Sequence, residues 1–233
     1  MLVSRVANAA SSAMVASEDY PPYAFNRRGR REGYDVAKVQ MVLDELRLRP
    51  IHYPMLRQAM FTALDEGTVD MAFPFNRTPE RAAKYILVGP LHLSSTVLAV
   101  AASEAKDTLG LDFLRGRRVG VTVGHTFPPA FEAQQDYTRV PCSSYTLAIR
   151  RLAYGRVDAV IGDRAVMEYL VATEGLRKAI HVSKTPIASG PSYCLFAKSH
   201  AALAASFEET LGRLQAAGKF NELAQAYPTV KAL

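Results

Sequence analysis

The chain has no tryptophan and only two cysteines, Cys142 and Cys194, among 233 residues. No CxxC pair and no Cys/His ligand spacing occurs, which argues against a structural zinc site. Cys194 lies in the apolar run Tyr193-Cys194-Leu195-Phe196-Ala197 and reads as a buried free thiol rather than half of a disulfide. No apolar run approaches the ~18–20 residues of a membrane span. With 14 glycines and 13 prolines there is no long linker or low-complexity block. The GxxxxGK[ST] phosphate loop is missing. The histidines, His52, His92, His125, His181 and His200, have neither metal-ligand nor triad spacing. Residues 1–13 are rich in Ala, Ser and Asn and lack the apolar core of a secretory leader, so export is not read from them.

What is present is ordinary for a soluble globular chain: 49% hydrophobic and 21% charged residues, enough for one large domain or two small ones. The net charge of +6 reads as a solvated basic surface that also favours anionic ligands. The clusters Arg27-Arg28-Gly29-Arg30-Arg31 and Arg115-Gly116-Arg117-Arg118 read as turns, and no nucleic-acid module surrounds them.

One short pattern occurs twice. Ala63-Leu64-Asp65-Glu66-Gly67-Thr68-Val69-Asp70-Met71-Ala72-Phe73 is matched by Arg151-Leu152-Ala153-Tyr154-Gly155-Arg156-Val157-Asp158-Ala159-Val160-Ile161. Each copy reads as a helix end, a glycine stop and a Val-Asp entry into a buried strand. Strands are expected at 14–16, 51–53 and 69–73, with helices over 36–46 and 55–65 between them. A second βαβαβ run covers 118–161, with strands at 119–121, 139–140 and 159–161 and helices from Pro128 and over 145–153. Two tandem α/β units follow from that order. The runs 96–101 and 193–197 read as strands crossing between them, and the tail as helices over 201–217 and 220–226, returning to the first unit. Ligands of such sheets bind beyond the carboxyl ends of the strands, here in a cleft between units.

The first copy leads to Arg81 and the second to Asp163, a cation and an anion placed to face each other across that cleft. Thr78-Pro79-Glu80-Arg81 reads as a capped helix start with proline at its first position. A cation in a first helical turn opposes the helix dipole, and a planar guanidinium suits a carboxylate. Asp163 serves equally as a helix N-cap or as a receiver of a ligand ammonium. The turn Gly124-His125-Thr126-Phe127-Pro128-Pro129 offers backbone N–H groups and a helix start as an anion site. His125 has no evident base partner and reads as structural or ligand-lining. Tyr20, Tyr23 and Phe25 flank the Pro21-Pro22 loop, as core or as the wall of a ligand site. Arg57 reads as a solvated helix residue or a second cation of the cleft.

Together these features resemble bacterial extracellular solute-binding proteins of family 3, the polar-amino-acid receptors of ABC importers, over about residues 15–227. The resemblance rests on Glu18-Asp19-Tyr20-Pro21-Pro22-Tyr23, Gly33-Tyr34-Asp35-Val36, Gly67-Thr68-Val69-Asp70, Arg77-Thr78-Pro79-Glu80-Arg81, Arg118-Val119-Gly120-Val121 and Gly155-Arg156-Val157-Asp158-Ala159. It implies an α/β, type II periplasmic-binding-protein fold, with two lobes joined by two crossing hinge strands. Lobe 1 would comprise residues 14–98 and 197–233, and lobe 2 residues 99–196. It further implies a monomeric periplasmic receptor that needs no cofactor or metal, catalyses nothing, and delivers an amino acid or related carboxylate to an ABC permease. A sensory ligand-binding module and a dehydratase-like enzyme are alternatives on the same scaffold, and Glu132 is the one acid near the 124–130 turn that an enzyme would use.

By the same resemblance, Arg81 clamps the ligand α-carboxylate with help from Thr126, Asp163 receives the α-ammonium, and Tyr20 stacks on the ligand. Two departures bear on the ligand. Family members often carry small hydroxyl residues where this chain has Phe73-Pro74-Phe75-Asn76, so an ammonium contact is lost at Pro74 or passes to carbonyls. Many place an aromatic where this chain has Arg57, and a second cation there would suit an acidic or dicarboxylate ligand. The expected ligand-binding set is Arg81, Asp163, Tyr20, Thr126, His125, Asn76, Phe73, Pro74 and Arg57.

Overall fold

The computed structural model describes residues 11–106 and 108–230. The first βαβαβ run consists of β1 (Ser12–Ser17), a small hairpin of β2 (Phe25–Arg27) and β3 (Arg30–Glu32), α1 (Tyr34–Glu45), β4 (Arg49–Pro54), α2 (Arg57–Asp65) and β5 (Met71–Asn76). Then come α3 (Pro79–Lys84), β6 (Ile86–Val88) and the long strand β7 (Leu93–Ala101). The second run consists of β8 (Arg118–Thr122), α4 (Pro129–Ala133), β9 (Thr138–Cys142), α5 (Tyr145–Ala153) and β10 (Ala159–Asp163). The chain continues through α6 (Arg164–Thr173), β11 (Ile180–Val182), the long strand β12 (Ala188–Phe196), α7 (Ala201–Ala216) and α8 (Asn221–Ala226). Of the N-terminal segment that reads as lacking the apolar core of a leader, residues 1–10 lie outside the described residues.

The strands run in the order β4-β1-β5-β12-β7-β10-β8-β9, with β6 on β12 and β11 on β7. Each βαβαβ run has its first strand in the middle, paired in parallel with the other two. The sequence repeat is therefore a structural one, and its aspartates do the same job in both halves. Asp70 accepts from the backbone N–H of Met14 at 2.6 Å, and Asp158 from that of Arg118 at 2.7 Å. Each pins the start of the central strand to the entry of its neighbour. Gly67 and Gly155 supply the left-handed residue that ends each preceding helix, at φ 68° and 63°.

The two halves meet through β7 and β12. Leu93–Thr96 pairs antiparallel with Ala188–Pro191. Beyond that contact β7 turns to β10, while β12 runs back to β5 and β6. This is a two-lobed α/β fold with two crossing strands, as expected. Helices α1 and α7 cover the first half, where Val39, Leu43, Phe207 and Leu211 pack with Phe73 and Phe196. Helices α5 and α6 cover the second, where Ile149, Val166 and Leu170 pack with Val160. Helix α7 returns to α1 as expected, whereas Val230 beyond α8 packs in the same cluster as Ile149 and Val160. Cys142 and Cys194 are buried free thiols.

Two local expectations change and a third is made more specific. Residues 73–76 are not a loop but the end of β5. Pro74 is tolerated there because the register between β5 and β12 shifts opposite it, so no ladder N–H is required. Helix α2 begins at Arg57 rather than Met55, since Pro54 ends β4. The first arginine cluster is indeed a turn, but one that closes the β2–β3 hairpin, with Arg28 and Gly29 both at positive φ.

Candidate functional site

A cavity of about 490 Å³ lies where the ends of β5 and β10 face each other across the crossing strands. One side is formed by Tyr20, Arg57, Pro74 and Asn76, the other by His125, Thr126, Tyr145 and Asp163. Ser94, Thr96 and 188–192 from β7 and β12 form its floor. Gly162, the residue before Asp163, has no room for a side chain because the Tyr145 ring lies against its Cα.

Asp163 is 3% exposed and performs both roles that its position suggests. As N-cap of α6 its Oδ1 accepts from the Val166 N–H at 3.1 Å. The same oxygen accepts from the Tyr23 hydroxyl at 3.1 Å, and Oδ2 accepts from Ser94 Oγ at 2.6 Å and the Ser95 N–H at 3.3 Å. All four donors are neutral. Among the described residues no cation pairs with this carboxylate, although it is buried and lines the cavity.

Arg81 is the opposite case. Thr78 caps α3 by accepting from the Arg81 N–H at 3.2 Å, with Pro79 at the first helical position. The 9%-exposed guanidinium turns back, donating to the Asn76 carbonyl at 2.9 Å, to the Asn76 side chain, and to Thr126 Oγ1 at 2.9 Å. It stands behind the lining residues Asn76 and Thr126 rather than in the lining itself. All its hydrogen-bond acceptors are neutral, and no carboxylate pairs with it among the described residues. Burial and then repulsion by Arg57 pull its pKa down to about 10. A charge in that state favours any anion that reaches it.

Arg57 is not the free second cation that the sequence suggested. Its guanidinium is ion-paired with the buried carboxylate of Glu18 and donates to the Pro74 carbonyl at 3.2 Å. Glu18 Oε2 in turn faces His125 Nε2 at 3.5 Å. Burial pushes the Glu18 pKa up, but Arg57 and His125 outweigh it and hold the group at about 2. Burial and Arg57 push the His125 pKa down, against the pull of Glu18. The His125 ring sits 5.5 Å from that of Tyr20 and edge-on to Tyr145 at 5.1 Å.

The cavity lining thus includes eight of these ten groups in sequence order: Tyr20, Arg57, Pro74, Asn76, His125, Thr126, Tyr145 and Asp163, with Arg81 and Glu18 just behind. Phe73 is not brought there. It is fully buried and packs downward with Val15, Phe196 and Phe207, because the alternation along β5 turns it away from the cleft. Pro74 lines the cavity, but its carbonyl is occupied by Arg57. The 124–129 turn supplies the Thr126 hydroxyl rather than a helix end. Helix α4 has only five residues, its N-cap Pro128 and first residue Pro129 lack N–H groups, and the N–H groups of Phe131 and Glu132 go to the Pro128 carbonyl. Sequence reasoning missed Glu18, Ser94 and Tyr145. Glu18 lay in a quoted motif, but nothing in a linear pattern pairs it with Arg57, 39 residues away. Glu132 pairs with Arg139 at 2.7 Å on the surface, outside the cavity lining.

The sequence profile of the bacterial extracellular solute-binding proteins, family 3, matches residues 13–229. The Bacillus subtilis (strain 168) protein named "Probable amino-acid-binding protein YxeM" is 23% identical over 213 residues, covering 88% of this chain and 79% of its own length. The "Arginine-binding periplasmic protein" of Mannheimia haemolytica is 24% identical over 160 residues, 68% of this chain and 65% of its own length. Among solved structures, a histidine kinase sensor domain described as similar to periplasmic binding proteins superposes with a TM-score of 0.87 at 22% identity. That match covers 95% of this chain and 98% of the sensor domain.

Proposed function

The chain belongs to family 3 of the bacterial extracellular solute-binding proteins, and from that premise we propose that it captures a small α-amino acid between its lobes and hands it to an ABC permease in the periplasm. Arg81, with Thr126, holds the α-carboxylate, and Asp163, with Ser94, holds the α-ammonium. Tyr20 and Tyr145 wall the side chain. The lobes taken for this reading are residues 14–98 with 197–233, and residues 99–196.

The observation that carries it is the pair of unmatched charges. Arg81 is buried without a carboxylate just behind the lining residues Asn76 and Thr126, and Asp163 is buried without a cation in the lining itself, on the other side of the same cavity. Each alone is costly to bury. A zwitterion compensates both at once, and only when the lobes are together, which couples binding to hinge closure. Capture rather than catalysis fits the acids at hand. Glu132 is on the surface, and Glu18, held near 2, keeps no proton to donate at neutral pH.

Isothermal titration with the amino acid that binds tests the assignment. Arg81→Ala leaves a carboxylate unpaired in the cleft and is expected to cost about 2–5 kcal/mol of binding. Full affinity in that variant would remove Arg81 from the site.

A further inference from the structure

We infer that the amino acid captured has an uncharged side chain, and that the Glu18–Arg57 pair is the element that enforces this. The inference rests on the α-amino-acid reading above and adds the class of side chain.

The buried part of the site is balanced in charge, with two cations and two anions. The cations are Arg57 and Arg81, and the anions Glu18 and Asp163. A zwitterionic ligand uses Arg81 and Asp163 for its own two ends. Arg57 and Glu18 remain, and they already neutralise each other through a direct ion pair, with side chains 7% and 12% exposed. Arg57 has its other end on the Pro74 carbonyl and its cationic face over the rings of Phe75 and Tyr20, at 4.8 and 5.9 Å. Glu18 Oε2 faces His125. Arg57 Nε is buried without a hydrogen-bond partner and can still donate to a neutral acceptor, but the charge of each member is already neutralised by the other. His92, which also lines the cavity, is tied through Nδ1 to the buried Asp35 at 2.8 Å. Among the described residues, the other charged groups of the lining, Arg77 and Glu80, are exposed and of opposite sign.

A guanidinium or ammonium on the ligand side chain would therefore be buried beside Arg57 with no anion to receive it. A side-chain carboxylate would meet an Arg57 already neutralised by Glu18. Either lone charge is heavily penalised in such a setting. The surfaces left for the side chain are the rings of Tyr20, His125 and Tyr145. Rings of this kind suit uncharged, polarisable groups.

Breaking the pair should therefore switch the preference in a direction set by the member that remains. Arg57→Gln releases the Glu18 carboxylate and should admit L-arginine and L-lysine. Glu18→Gln releases Arg57 and should admit L-glutamate and L-aspartate. The test is a dye-monitored thermal-shift panel of the twenty amino acids on the wild type and both variants, followed by titration calorimetry of the hits. The expected wild-type result is stabilisation by one or more neutral amino acids, with the basic and acidic ones at least 100-fold weaker. Each variant should gain at least 10-fold for its matching charged set and none for the other. Wild-type preference for arginine, lysine or a dicarboxylate would overturn the inference and leave the clamp intact, even if neither variant folds. Folded variants whose charge preference equals that of the wild type would also overturn it. Binding of no α-amino acid at all would overturn the clamp itself, and the inference with it.

Discussion

At the scale of single residues, Glu18 ties stability to pH in the acid range. Its folded-state pKa of about 2 lies below the ordinary 4.5, with Arg57 and His125 outweighing the burial that would raise it. A carboxyl depressed in the folded state stabilises it fully above the unfolded pKa. That stability is lost as pH falls from about 4.5 toward 2. The gap corresponds to about 3 kcal/mol at neutral pH. Glu18→Gln is thus expected to be less stable than the wild type by about that amount at pH 7, with the difference closing by pH 2. Urea unfolding at a series of pH values measures it, and a gap that stays constant with pH would assign the cost to packing instead of charge. His125 acts in the same direction from a different range. Its depressed pKa means that the folded state resists protonation, so its contribution is present above the unfolded pKa near 6.5 and is lost below.

At the scale of elements, the duplicated Val-Asp strand entry organises each lobe. Asp70 and Asp158 each hold the first residues of a central strand by a side-chain-to-backbone bond, at 2.6 and 2.7 Å. Replacing either by alanine leaves the N–H of Met14 or of Arg118 without its acceptor, and a loss of about 1–2 kcal/mol is expected from each. Chemical denaturation of Asp70→Ala and Asp158→Ala checks this. Losses of this size are expected from both, the Asp158 variant also losing its ion pair with the Arg118 guanidinium, whereas a loss from only one would mean that the other bond carries no weight in holding its strand. This repeat was legible before any coordinates, because helix stops, glycines and strand entries are local signals that recur at fixed spacing. The helix over 145–153 was read to the residue, since Ser144 caps it and Tyr154-Gly155 ends it. The end of β5 was not legible. A proline among aromatics reads as a loop, and only the register shift on β12, more than a hundred residues later, makes room for it in a strand. The same limit hid the ion pair of Arg57. Its charge was visible in the sequence, but its neutralisation by Glu18 depends on how the end of β1 meets the start of α2. Phe73 was misplaced for a related reason, since the face it takes depends on the register of β5.

At the scale of the whole molecule, the two lobes contribute one pole each. Arg81 comes from the first half and reaches Thr126 of the second at 2.9 Å, while Asp163 of the second half holds the Tyr23 hydroxyl of the first at 3.1 Å. These bonds are made by the two unmatched charges themselves, so the groups proposed to hold the ligand are the same groups that join the lobes. A ligand with both poles engages both lobes, and one with a single pole leaves a buried charge uncompensated on the other side. Loss of either pole should therefore remove most of the affinity rather than half of it.

The most direct test is calorimetric titration of the wild-type protein with its best-bound amino acid, with the N-acetyl derivative of that compound, and with its α-carboxamide. The account predicts tight binding of the parent and at least 100-fold weaker binding of both derivatives, one lacking the ammonium for Asp163 and the other the carboxylate for Arg81. Undiminished binding of either derivative would contradict the two-pole clamp.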